Sequence, residues 1–278
     1  MRNLTEKENS DIKNDVEILL DFCLKNGLVN NLFEEKLKGI NFRIGDFKNR
    51  PNAKARAEHS TKKIEVDEDV FESDYFRRRI IYHEIGHLLY DFNLNRLCEG
   101  ALRIKLLDIT KKNNLKDANP LLAIAGFKLL QEYIVEKFSV LVASDSLNKK
   151  IEVNPNSVGK FSGCYTFSST FGNSYGLYES ICDELINKTY PNIIDMFKDC
   201  LNSNFYINLL NNYEEESIFR FMEKMGDFYN KSLAYTEKNI IPNENEVKEK
   251  IEYLKELVKN IKVTNVVKKE DNFSYNVK

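Results

Sequence analysis

Apolar positions recur at helical spacing in the first part of the chain. Val16, Ile18, Leu19, Leu20 and Phe22 form the apolar set of one or two amphipathic helices over 11–38, with Gly27 as a stop. The period then shortens. Residues 40–45 alternate apolar and polar, as a half-buried strand does, and Pro51-Asn52 marks a turn. Residues 53–58 and 64–66 read as two further short strands joined by a polar turn at Ser60-Thr61-Lys62. Ser73-Asp74 is a helix start, opening a helix over about 74–92.

A second amphipathic pattern over 95–113 carries Leu97, Leu102, Ile104, Leu106, Leu107 and Ile109, and the polar stretch 111–117 closes it. Asn119-Pro120 signals the next helix, with proline at the first helical position. That helix, 120–144, is apolar almost all round and is therefore expected to be buried. The pattern breaks over 154–176, where four glycines interleave with Phe161, Tyr165, Phe167, Phe171 and Tyr175. A loop of this length is commonly functional. Helical spacing resumes over about 177–188, 191–202, 205–235 (in one or two pieces) and 243–262, and the basic end of the chain is expected to fray. The division expected is a helical segment at 1–38, an α+β unit at 39–150 and a helical region at 151–278.

Composition narrows the function classes. Apolar residues make up 42% of the 278, enough for a core, and the net charge of −2 implies neither nucleic acid nor an acidic membrane as partner. There is no run long enough to span a bilayer and no signal-peptide core near the start. Cys23, Cys98, Cys164, Cys182 and Cys200 lack paired spacing, which fits reduced thiols in a cytoplasmic protein. Release without a recognisable signal peptide is the alternative.

The chemistry concentrates in His83-Glu84-Ile85-Gly86-His87, which holds two of the three histidines in the chain. On a helix, positions i and i+4 share a face, so both imidazoles can bind one Zn²⁺, and Glu84 can act as general base on a water there. A catalytic zinc needs a third protein ligand. No histidine follows at the spacing H-x-x-G-x-x-H, because Tyr90 and Asn93 occupy those places. Glu132 and Glu136, four apart on the buried helix, are the better source. Glu132 would bind the metal and Glu136 would accept a hydrogen bond from a ligand histidine. Arg77-Arg78-Arg79 and Glu214-Glu215-Glu216 read as solvated faces, and Gly86 as a place where a neighbouring backbone approaches the motif helix.

Together, H-E-x-x-H and the downstream E-x-x-x-E resemble the gluzincin branch of zinc metallopeptidases. The segment from Glu132 to Phe138 is similar to E-x-x-x-E-x-F of the anthrax lethal factor type, as is the interval of 45 positions from His87 to Glu132. It is also similar to E-x-x-A-N-x-F of the intracellular proteases that cleave phage repressors, although Val135 and Glu136 stand where that group has alanine and asparagine. The resemblance covers about residues 40–145. It implies a zincin-like α+β core, a small sheet with two ligand-bearing helices, followed by a mostly helical C-terminal half. It further implies one Zn²⁺ per chain held by His83, His87 and Glu132, Glu84 as base, and Glu136 behind a ligand histidine.

Gluzincins also set a tyrosine, histidine or arginine against the developing oxyanion. The lethal factor type has a tyrosine shortly before its ligand glutamate, where this chain has Ala123-Ile124-Ala125-Gly126-Phe127. Candidates here are Tyr175, Tyr178, Tyr165 and His59. The expected activity is hydrolysis of a protein or peptide substrate that adds to the strand 53–58, with the loop 154–176 near the cleft mouth. The rival expectation is a catalytically silent module that docks a protein partner through its helical C-terminal half. In both cases helix 95–113 provides the return path between the ligand helices.

Overall fold

The computed structural model describes residues 2–29, 31–48, 54–58, 60–146, 174–202, 204–237 and 243–263. Helix α1 (Glu6–Lys25) opens the fold. It starts five residues before the hydrophobic periodicity does, because Thr5 and Glu8 form a capping box that satisfies the first turn. After α2 (Asn31–Lys38) come β1 (Asn41–Ile44), β2 (Ala55–Glu58) and β3 (Lys63–Val66). The sheet order is β1-β3-β2, with β1 parallel and β2 antiparallel to the central β3. β3 is accordingly the buried strand, and β2 is an edge with no strand on its outer side among the described residues.

A 3₁₀ turn (Glu68–Glu72) leads to α3 (Asp74–Lys112), whose first turn is capped by the Ser73 side chain. Here the structure departs from the sequence reading, since the helices expected at 74–92 and 95–113 are one. The segment 91–95 contains neither glycine nor proline, so nothing interrupts the backbone ladder where the apolar pattern changes phase. The return path is instead a short turn leading into α4 (Pro120–Ser146), which packs along α3. The two helices expected to carry the ligands are therefore consecutive.

The three arginines of α3 are also not solvated. Arg77, Arg78 and Arg79 are all buried. Asp15 of α1, itself fully buried, accepts from Arg77 Nε at 2.7 Å and from Arg78 Nε at 2.8 Å, and Tyr82 donates to the Asp15 carbonyl at 2.9 Å. Charge density alone suggested solvent, but a partner 62 positions away decided the matter. By contrast Glu214 and Glu216 are exposed, and Glu215 is half-buried between Lys105 and Lys112, which hold its carboxyl below the usual range despite partial desolvation.

The C-terminal region is helical where described: α5 (Ser174–Thr189), α6 (Ile193–Leu201), α7 (Phe205–Asn212), α8 (Glu215–Glu237) and α9 (Glu244–Asn260). The expected helix over 205–235 is in two pieces, broken at Tyr213, which bridges to Val263. α8 and α3 both pack against α4, and 13 of its 27 residues are buried, in line with its apolar composition. No helix among the described residues is long and apolar enough to cross a membrane.

The α4–α8 crossing depends on two glycines. A Cβ on Gly226 would sit 1.8 Å from the Leu122 carbonyl oxygen, and one on Gly126 would sit 2.1 Å from that of Met222. Only hydrogen at these positions lets the backbones meet. Alanine at Gly226 is expected to destabilise the protein by roughly 1–3 kcal/mol, although in an open helix it would gain about 1 kcal/mol. Urea unfolding beside Gly100→Ala, which meets nothing within 4 Å, checks this.

Candidate metal centre

The centre is a ladder between two antiparallel helices. On α3, Arg79, His83 and His87 are spaced four apart and form one stripe. On α4, Glu132 and Glu136 form the facing stripe. Each carboxylate spans two rungs of α3. Glu136 contacts Arg79 through Oε1 and receives His83 Nδ1 on Oε2 at 3.1 Å. Glu132 Oε2 lies 3.7 Å from His83 Nε2 and 3.2 Å from His87 Nε2. The two Nε2 atoms are 3.1 Å apart, with the rings edge to face.

Those three separations test whether an ion fits. Ligand atoms about 2.0–2.1 Å from a tetrahedral centre stand about 3.3 Å from one another. The observed 3.1, 3.2 and 3.7 Å bracket that value. The three side chains His83, His87 and Glu132 could together hold a metal ion, and no fourth histidine, cysteine or acidic residue joins them among the described residues. The neighbours orient the ring. A carboxylate can only accept, so the His83 Nδ1 donates to Glu136 and its Nε2 faces His87 and Glu132.

Local sequence explains why the helices meet here. Gly86 faces α4, and a Cβ there would lie 2.9 Å from Val135 Cγ1. What approaches Gly86 is thus the side chain next to Glu136, and not the backbone that the sequence suggested. Desolvation pushes the Glu132 carboxyl up, but the charges of His87 and His83 and hydrogen bonds to both rings more than offset this, holding it below the usual carboxylate range. Glu132 therefore presents an ionised oxygen.

Burial grades along the ladder. Side-chain exposure is 5% for Arg79, 3% for Glu136 and 4% for His83, but 14% for His87 and 28% for Glu132. The open end is thus the His87–Glu132 end. Glu84, one residue after His83, is half-buried and makes no side-chain hydrogen bond or ion pair among the described residues. Its carboxylate remains available.

Arg79 is the member that sequence reasoning missed. The signal was present, because Arg79, His83 and His87 repeat at four-residue spacing, but the arginine triplet masked it. Of the candidates for oxyanion stabilisation, His59 and Tyr165 lie outside the described residues, as do the side chains of Tyr175 and Tyr178. The loop 154–176 also lies outside them up to residue 173, and its last three residues belong to α5.

A scan against protein-family models finds no matching family, and searches of curated proteins and of solved structures find no match either. What this centre does chemically has to be read from its own side chains.

Proposed function

We propose that the chain is a zinc-dependent endopeptidase of gluzincin type, with a zincin-like core built from the small sheet, α3 and α4. One observation carries the reading: three convergent donors, two imidazole and one carboxylate, on a ladder whose His87–Glu132 end is the more exposed, with a half-buried Glu84 next to His83 in the same helix. Structural zinc sites are closed by four protein ligands, whereas catalytic ones keep a position for water or substrate. The donor set suits zinc, which accepts nitrogen and oxygen ligands in tetrahedral geometry.

When bound, the ion would supply Lewis acidity, polarising the scissile carbonyl and lowering the pKa of a water to about 7. The chain's own residues would do the rest. His83, His87 and Glu132 hold the ion. Glu136 keeps the His83 ring in place and in the correct tautomer. Glu84 takes a proton from the attacking water and returns it to the departing amine nitrogen as the C–N bond breaks. An extended peptide pairs with the open edge of β2, which packs against α3, the helix of both histidines.

The test is a zinc-loaded sample incubated with a proteome-derived peptide library, with the cuts mapped by mass spectrometry. Defined cleavage sites that vanish with a chelator and return with zinc are the expected result. A fully metallated protein that cuts nothing in such a library would leave the alternative, a silent module that binds a protein partner.

A further inference from the structure

We propose that Arg79 is a positioning residue of the metal centre, acting through Glu136 on the ring of His83; this rests on the reading of His83, His87 and Glu132 as ligands. The contact pattern supports it. Glu136 divides its two oxygens between Arg79 and His83, side chains one helical turn apart on α3. A carboxylate held by one oxygen alone can swing about its Cγ–Cδ bond. Held by both, it cannot turn away from the His83 Nδ1 proton.

Electrostatics point the same way. Glu136 is 3% exposed, and a buried carboxylate without a cation is costly. The metal cannot compensate it directly, because Glu136 meets the His83 Nδ1, not the Nε2 that faces Glu132. Arg79, also buried, supplies the positive charge on the far side. The two form a neutral unit behind the ligand ring. Arg79 thus holds one oxygen of Glu136 from the side away from His83 and leaves the other directed at the His83 Nδ1.

A purely structural ion pair would tie α3 to α4 and nothing more. The distinction lies in metal binding measured apart from folding. Zinc affinity is read by competition with a chromophoric chelator, ligand geometry by the visible spectrum of the Co²⁺ form, and folding by thermal melting of the metal-free protein. Arg79→Met should weaken zinc binding by roughly 10–100-fold and alter the Co²⁺ spectrum, the range found for lost partners of metal-bound histidines. Arg79→Lys, which keeps the charge but not the two-pronged guanidinium, should fall between. In a Glu136→Gln background the loss should disappear, so that Arg79→Met/Glu136→Gln binds zinc as Glu136→Gln does.

Native affinity and spectrum in either folded Arg79 variant would overturn the proposal, as would a further drop on adding Arg79→Met to Glu136→Gln. If Arg79→Met does not fold, Arg79→Lys and the double variant decide by the same criteria. Failure of the underlying reading looks different, because then the unaltered protein itself binds no stoichiometric zinc.

Discussion

Replacing Glu84 by glutamine is expected to lower the proposed peptide cleavage by about 10²–10⁴-fold while leaving zinc binding at one per chain. The magnitude is that of a positioned general base. The metal is retained because Glu84 is not among the three convergent donors. Glutamine matches the carboxylate in shape but cannot accept the proton of the attacking water. Since Glu84 is half-buried and holds no ion pair among the described residues, stability should change little. The measurement is kcat/KM on a peptide from the mapped cleavage sites, paired with zinc content. Loss of zinc together with activity would mean that Glu84 supports the metal. Unchanged activity would remove it from the mechanism.

The second large effect is expected far from the metal. Asp15→Ala should destabilise the fold by about 3–5 kcal/mol, because it leaves the guanidinium groups of Arg77 and Arg78 buried with their main anionic partner gone. Among the described residues, the carboxylates left to Arg77 are Asp74 and, at 4.0 Å, Asp11, both more exposed than Asp15. Asp11→Ala should accordingly cost less than about 1 kcal/mol. Asp15→Leu combined with Arg77→Met and Arg78→Met should recover much of the loss, since apolar replacement of a whole buried ionic cluster is often neutral. Urea unfolding of the four proteins decides it. If Asp15→Ala and Asp11→Ala cost the same, the cluster is not what docks α1 onto α3.

How much of this was legible beforehand depends on the range over which each feature is decided. The imidazole pair and the carboxylate pair are local, four residues apart on one helix, and the period announces both. The burial of α4 is written in its own composition. The fate of Arg77–Arg79 is not local, because their partners are Asp15 and Glu136, 62 and 57 positions from Arg77 and Arg79 respectively. A run of three arginines reads as solvent until the chain brings anions to it. The continuity of α3 was hidden for another reason. Hydrophobic phase shifted near residue 93, which resembles a break, yet a helix needs no constant face when different neighbours cover successive turns. The Gly126–Gly226 crossing joins two ordinary-looking helical glycines 100 positions apart, and neither is informative alone.

Whether His83, His87 and Glu132 hold one zinc ion is decided by zinc K-edge X-ray absorption on protein purified without chelator. The expected spectrum shows one zinc per chain, with nitrogen and oxygen neighbours only, at about 2.0–2.2 Å. Zinc well below stoichiometric amounts, or a sulfur shell near 2.3 Å that would mark cysteine ligation, would contradict it.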